Sequence, residues 1–365
     1  MNQQSLSWRL TASSLSRCPG RSDRMRTILY RSYGEPADVL EVADVPDLAA
    51  PAANEVLIRV MSRPVHPGDL LGVEGRYRAP GDTANVAPQG NRPGFEGMGI
   101  IEEIGSAVEP SAGLSVGLRV AFFPGRWAWG ERVVVPASFV TPVPADVPDD
   151  IAAQLHVNPL TAAMLVRAAE AAGLTTDDAG VAVVTAAASS VARFVTALAR
   201  ERGLAVIGLV RSNESVKELN TSPSGMPVIS TAEPGWQDRV RDAAKGRPIR
   251  AVLDCVGGEL ASNLLVMLDS GGTFISYGDL TAEPLRATAL SFSVRNLRIH
   301  GVSIGRWANL PNDIRDQDLR TAISLAQHEP ALFRVAASYE LTDVARAVRH
   351  SKQAGKNGAV LLTSF

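Results

Sequence analysis

Residues 181–213 read VAVVTAAASSVARFVTALARERGLAVIGLVRSN. The apolar run at 181–185 suits a buried strand. A turn of small residues follows, and from 190 to 202 apolar side chains recur at helical spacing through Val191, Phe194, Val195, Leu198 and Ala199. A second apolar strand fills 204–210. Strand, tight small-residue turn, helix and strand form a βαβ unit, which requires its two strands to be parallel.

The same rhythm continues downstream. Short apolar segments at 228–229, 251–255, 273–277 and 297–304 alternate with helical patterns at 236–244 and 260–268. Six strands alternating with helices predict a parallel sheet covered on both faces. Upstream, from 27 to about 143, short strand patterns at 56–60, 99–104, 118–123 and 132–135 are punctuated by Pro67-Gly68, Pro93-Gly94 and Pro124-Gly125, which predicts a barrel-like β domain. After Trp307 come helical patterns at 318–326 and 341–350 and a strand at 359–363. The parallel sheet already has its strands, so this tail is assigned to the first domain and the sheet domain becomes an insertion. The resulting division is 25–150 plus 306–365 for the first domain and 151–305 for the inserted one. Residues 1–24, rich in Ser and Arg and poor in acids, read as a disordered tail or an upstream start, with an organelle transit peptide as the alternative.

Composition narrows the function classes. Across 365 residues the net charge is −2, with 45% hydrophobic and 20% charged residues, which gives no general affinity for nucleic acid or anionic membrane. No apolar run approaches a membrane span. Two cysteines, Cys18 and Cys255, exclude a disulfide framework and a four-Cys zinc lobe, and favour a reducing, cytoplasmic compartment, or a mitochondrial one if the tail is a transit peptide.

The turn Ala186-Ala187-Ala188-Ser189-Ser190-Val191-Ala192 lacks the GxGxxG pattern, but its small residues still allow a dinucleotide diphosphate to approach a helix N-terminus. Ser189 or Ser190 is placed to cap that helix. The second strand ends in Val210-Arg211-Ser212-Asn213. An acidic residue there would accept from a ribose 2′-hydroxyl, whereas Arg211 forks onto a 2′-phosphate, so NADPH is favoured over NADH.

Asn158-Pro159-Leu160-Thr161-Ala162, Val210-Arg211-Ser212, Asp254-Cys255-Val256-Gly257-Gly258, Gly271-Gly272-Thr273 and Tyr277-Gly278 resemble signatures of the medium-chain dehydrogenase/reductase superfamily. The resemblance runs from Met25 to the C-terminus. It is closer to the mitochondrial-type 2-enoyl thioester reductase branch, with quinone oxidoreductases next. It implies an α/β architecture in which a GroES-like β-rich catalytic domain carries an inserted doubly wound (Rossmann) domain, with NADPH between the two. By position, cofactor contacts fall on Asn158, Ala188, Ser189, Ser190, Val191, Arg211, Ser212, Asn213, Tyr277, Gly278, Asp279, Leu280, Val302, Ser303 and Ile304. The family's catalytic tyrosine matches Tyr77 in Gly75-Arg76-Tyr77. Three segments depart from the family: Ser190 and Ala192 replace glycines of the turn, His66-Pro67-Gly68-Asp69 replaces an Asn-Pro-Ser-Asp, and Ala359, with Lys356 nearby, replaces a basic residue.

Zinc-dependent relatives use a Gly-His-Glu ligand segment where this chain has Gly94-Phe95-Glu96, so no metal is expected, and His66 and Glu96 are read as structural. The implied reaction is NADPH-dependent reduction of a trans-2-enoyl thioester of CoA or acyl carrier protein. Hydride adds to the β-carbon, and Tyr77 stabilises the enolate or delivers the α-proton. The alternatives are a quinone oxidoreductase and a non-catalytic NADPH-binding or scaffold protein. Arg76, Arg78, Arg92, Arg126 and Arg306 are candidates for meeting CoA phosphates or the acidic face of an acyl carrier protein, or else form a solvated rim. Relatives pair through the edge strand of the inserted domain, here near 298–304, so a homodimer is expected.

Overall fold

The computed structural model describes residues 23–78, 82, 84–176, 180–220 and 225–364. Cys18 and all but the last two residues of the expected tail lie outside them. Among the described residues seven strands precede the inserted domain: β1 Arg24–Leu29, β2 Glu41–Pro46, β3 Glu55–Pro64, β4 Gly97–Ile104, β5 Arg119–Phe122, β6 Arg132–Pro136 and β7 Val140–Pro142. β1 and β2 form an antiparallel ribbon, and β3 is the hub of the main sheet, pairing antiparallel with both β4 and β6. Arg24 already pairs with Pro46, so the first domain starts inside the segment read as tail.

The inserted domain contributes β8 Val181–Val184, β9 Ala205–Val210, β10 Val228–Ser230, β11 Ile249–Asp254, β12 Thr273–Ser276 and β13 Arg298–Gly301. Their order is β10-β9-β8-β11-β12-β13, and every pair is parallel. The strand order reverses between β8 and β11, the crevice where doubly wound sheets bind ligands. Side chains alternate between faces along each strand. Val181, Val183, Ile207, Leu209 and Val252 enter one core, and Ala182, Val184, Val206, Val210 and Leu253 enter the other. The second core runs through Leu165 and Val166 of the Val157–Ala171 helix to Met98 and Ala121 of the first sheet, so one continuous apolar interior joins the two domains.

The chain then returns to the first domain. β14 Val335–Glu340 pairs parallel with β15 Ala359–Thr363, and β15 pairs antiparallel with β3. β14 has no counterpart in the sequence reading, because its VAASYE segment offers mostly small side chains and no clean alternation. The strand read at 297–304 ends at Gly301, where its partner β12 also ends, and Ile304–Asn309 turns as a 3-10 helix. Pro67-Gly68, read as a turn, opens the helix Pro67–Val73. Proline is tolerated in a first helical turn, and Asp69 accepts the His66 N–H at 3.0 Å. The helices read at 318–326 and 341–350 are Asn312–His328 and Val344–Ser351. No helix among the described residues is long and apolar enough to cross a membrane.

Candidate active site

The small-residue turn leaves the carboxyl end of β8 beside the switch point. Ala186 takes a left-handed conformation (φ 48°), the Ala187 N–H donates to Leu209 (2.9 Å), and Ser189 caps the Ser190–Glu201 helix by accepting the Ala192 N–H at 3.2 Å. Behind the turn, the Tyr277 hydroxyl is buried and makes no hydrogen bond of good geometry, with Cys255 and Ser189 its nearest polar groups. Burial holds that phenol well above its ordinary pKa, and it pushes the Cys255 thiol up to about 11, so both stay protonated. Gly278 is needed for close approach, since a Cβ there would stand 2.9 Å from that of Cys255. Asp254 ties the neighbouring loop by accepting from Thr185 Oγ1 (2.8 Å) and the Gly257 N–H (2.9 Å).

Cations face this turn from both domains. Arg193 donates to the Ala188 carbonyl (2.9 Å) and to Ser190 Oγ (3.1 Å), while its buried Nε has no partner. Burial, reinforced by Arg334 and opposed by Glu218, pushes the Arg193 guanidinium down to about 10. Lys356 is lowered by burial and by Arg193. Arg334 donates to Asn357, which itself donates to Glu218. Half-buried, adjacent positive charges repel one another, so the geometry suits an anion. The sequence reading missed Arg193. Its signal was a basic residue in the first turn of a helix, against the macrodipole.

The other residues singled out in the sequence gather on the same edge. Asn158 is buried in the first turn of the Val157–Ala171 helix. Ala188, Ser189, Ser190 and Val191 are half-buried in the turn. Beyond β9, Arg211 is exposed, Ser212 Oγ accepts the Ser215 N–H (3.3 Å), and Asn213 donates to Glu233 (2.6 Å). Tyr277, Gly278, Asp279 and Leu280 leave β12, and Val302, Ser303 and Ile304 leave β13, all at carboxyl ends of parallel strands. Asp279 already has a protein partner: Arg76 donates to its carbonyl (2.6 Å) and its carboxylate (2.9 Å), joining the two domains across the cleft.

That contact belongs to the loop carrying Tyr77. Gly75 has φ 75°, and a Cβ there would lie 2.9 Å from the Tyr33 ring, so glycine is required to aim Arg76 and Tyr77. Tyr77 is 69% exposed as a whole, yet its hydroxyl end packs inward. A methyl built on Gly68 would lie 3.4 Å from that oxygen and 3.3 Å from Phe95. Partial burial of this end raises the phenol pKa, with Asp69 adding and Arg76 opposing.

Below Tyr77 lies a buried polar cluster. His66 Nε2 makes a short hydrogen bond with Glu96, whose other oxygen accepts the N–H groups of His156 (3.2 Å) and Val157 (2.8 Å). Asp69 also accepts the Gly94 N–H (3.1 Å). Burial pushes Asp69 up to about 7, against the pull of His66. Burial alone would lower His66, but Glu96 outweighs it and the ring pKa is raised. His156 bonds Thr141 Oγ1 (3.0 Å), and burial drives it down to about 4. These side chains are committed to one another, and among the described residues no three His, Cys, Asp or Glu side chains are grouped to share a metal ion.

Comparison with known proteins agrees with this layout. The profile of the alcohol dehydrogenase GroES-like domain matches residues 52–145, and that of the zinc-binding dehydrogenase family matches residues 190–324. Together with the inserted parallel sheet, these matches place the chain as an oxidoreductase belonging to the medium-chain dehydrogenase/reductase superfamily. It is 28% identical over 301 residues to the mitochondrial enoyl-[acyl-carrier-protein] reductase of Xenopus tropicalis, covering 79% of this chain and 80% of that protein. The human mitochondrial enoyl-[acyl-carrier-protein] reductase is 28% identical over 296 residues, covering 78% of this chain and 74% of that protein. Among solved structures, a candidate NADPH:quinone reductase from Bacillus thuringiensis superposes with a TM-score of 0.81 at 29% identity, covering 94% of this chain and all of that one. Escherichia coli quinone oxidoreductase complexed with NADPH superposes with a TM-score of 0.77 at 21% identity, covering 93% and 100%, and shares the fold.

Proposed function

We propose that this protein is an NADPH-dependent reductase of an activated carbon–carbon double bond, acting on a trans-2-enoyl thioester of CoA or acyl carrier protein. The observation that carries the reading is the Tyr77 hydroxyl, a protonated donor at Gly68 and Phe95 on a loop tied across the cleft by Arg76. The cofactor's phosphates fit what the turn offers: a capped helix N-terminus, the unpartnered Arg193 Nε and Lys356. The exposed Arg211 suits a 2′-phosphate, and the solved NADPH complex of the same fold agrees with that preference.

When bound, NADPH supplies the hydride that adds to the β-carbon. Tyr77 then donates a hydrogen bond to the thioester carbonyl oxygen as negative charge develops there, or its proton to the α-carbon. Its raised pKa keeps that proton in place at neutral pH. Arg76 holds the loop by gripping Asp279 and so sets where the phenol stands.

A second reading, a quinone oxidoreductase, is favoured by the 29% identical structure, and it leaves Tyr77 without a chemical task. A scaffold without cofactor is disfavoured by the half-buried Arg193 and Lys356 side by side at the turn. Mixing the protein with NADPH and crotonyl-CoA, with a simple quinone in parallel, tests the assignment by loss of reduced-cofactor absorbance. Oxidation with the thioester alone supports the proposal, and oxidation with the quinone alone rejects it. A homodimer is also part of the proposal. All four residues of the edge strand β13 are exposed, Ile299 among them, and Leu290 and Val294 add exposed apolar surface nearby. Light scattering showing a monomer at micromolar concentration would reject that pairing.

A further inference from the structure

We infer that a cleft beside the Tyr77 loop is a binding site for the 3′-phosphoadenosine diphosphate of a CoA thioester, an inference that rests on the enoyl-thioester reading above. The cleft has a volume of about 340 Å³ and is lined by Tyr33, Asn85, Gln89, Asn91, Arg92 and Trp127. Small-molecule sites begin at roughly this size.

Its chemistry is that of a nucleotide site. The Arg92 guanidinium carbon lies 4.9 Å from the centre of the Trp127 indole, and that of Arg126 lies 5.7 Å away. Arg78 lies 4.8 Å over the Tyr33 ring. Among the described residues none of these three arginines makes an ion pair with a carboxylate. Asp82, on the Arg78 loop, accepts instead from the Ala84 N–H (2.8 Å). Burial lowers the Arg92 pKa with no charged neighbour opposing it. Guanidinium forks match phosphate oxygens, and an indole face accepts a purine.

Trp127 is also held in an unusual state. It is 40% exposed and has φ 68°, a left-handed backbone that a bulky residue rarely adopts. Strain of this kind gathers at ligand clamps, where the surroundings enforce it. The Ala128 N–H bonds the Gly94 carbonyl (3.1 Å), which fixes the Trp127 loop against Arg92-Pro93-Gly94-Phe95. Phe95 and the Tyr77 hydroxyl end both face Gly68. Three residues of backbone, at most about 11 Å when extended, thus separate the arginine that would hold the nucleotide from the aromatic ring beside the reacting thioester. A pantetheine arm bridges such a distance.

The structure also divides the arginines grouped in the sequence. Arg76 is taken by Asp279 and Arg306 lies in the Ile304–Asn309 turn, whereas Arg92 lines the cleft and Arg78 and Arg126 stand over its Tyr33 and Trp127 rings.

The test uses the full chain saturated with NADP⁺, so that the cofactor site is filled. Calorimetric titration with adenosine 3′,5′-bisphosphate should show binding that weakens at least tenfold in Arg92→Gln/Arg126→Gln. The same double variant should raise KM for crotonyl-CoA at least tenfold and leave KM for crotonyl-N-acetylcysteamine unchanged. Arg126→Gln alone, at an exposed side chain, repeats both measurements if the double variant is unstable. The inference is overturned if the bisphosphate does not bind, if it binds the variants as tightly as the parent, or if only an acyl-carrier-protein thioester loses affinity. If the parent reduces no crotonyl thioester, the proposed function fails, and the calorimetry still decides the cleft.

Discussion

Replacing Arg193 with Gln removes the guanidinium that bridges Ala188 and Ser190, and two opposite effects should follow. In the cofactor-free protein this charge is buried beside Arg334 and Lys356, and its pKa falls from 12.5 to about 10. That shift corresponds to about 3 kcal/mol of unfavourable burial of the charged form at neutral pH. Its two hydrogen bonds, to the Ala188 carbonyl and to Ser190 Oγ, return part of this, at about 1 kcal/mol each. The free variant is therefore expected to be as stable as the parent, or more stable by about 1 kcal/mol. With NADPH the sign reverses. A charge-assisted hydrogen bond to phosphate is worth roughly 1.5–3 kcal/mol, so the dissociation constant should rise about 10- to 150-fold. Differential scanning fluorimetry with and without NADPH, alongside a fluorescence titration, reads both effects. A purely structural Arg193 would lower the melting temperature of the free protein and leave the dissociation constant within twofold, and that result would refute the reasoning.

Tyr77→Phe keeps the ring and removes the donor, so crotonyl-CoA turnover should fall by roughly 10²–10⁴ with NADPH affinity unchanged; unchanged turnover would remove Tyr77 from the chemistry. Arg211→Ala should reduce the preference for NADPH over NADH by about tenfold or more, measured as the ratio of kcat/KM values, and an unaltered ratio would place the 2′-phosphate elsewhere. Burial holds His156 neutral, with its pKa driven from 6.5 to about 4. Below pH 6.5 the unfolded chain takes up a proton that the folded chain refuses, so stability falls as pH drops from 6.5 toward 4. The loss at this site is about 3 kcal/mol. His156→Gln should flatten that part of the stability profile in urea unfolding, and parallel profiles would contradict the assignment.

The parts of the fold legible in the sequence were those whose signal is local. Strand β15 and the Trp236–Ala244 helix fall where the pattern of apolar residues places them. So does the strand–turn–helix at 181–202, to within a residue. A serine cap at 189 or 190 was legible because an N-cap needs only a serine and the backbone three residues on, and the structure chose Ser189. β14 and the Pro67–Val73 helix were not legible. The first has too few large apolar side chains to show a period, and the second begins with the two residues that elsewhere mark a turn.

The site divides in the same way. The sequence alone determined that a parallel sheet is inserted into a β-rich domain, that the turn after its first strand is open to a diphosphate, and that Phe95 stands where a ligand histidine would be needed. The first two follow from periods of two and 3.6 residues and from small residue types at short spacing, and the third from the resemblance to zinc-dependent relatives. Only the tertiary structure decided that Arg76 grips Asp279 from 203 residues away and that Arg193 faces Lys356 and Arg334. It also decided that His66 is spent on Glu96, and that Arg92 and Arg126 share one indole. No local pattern encodes such pairs. They depend on how the C-terminal strands return to β3 and on which side chains the assembled fold brings together.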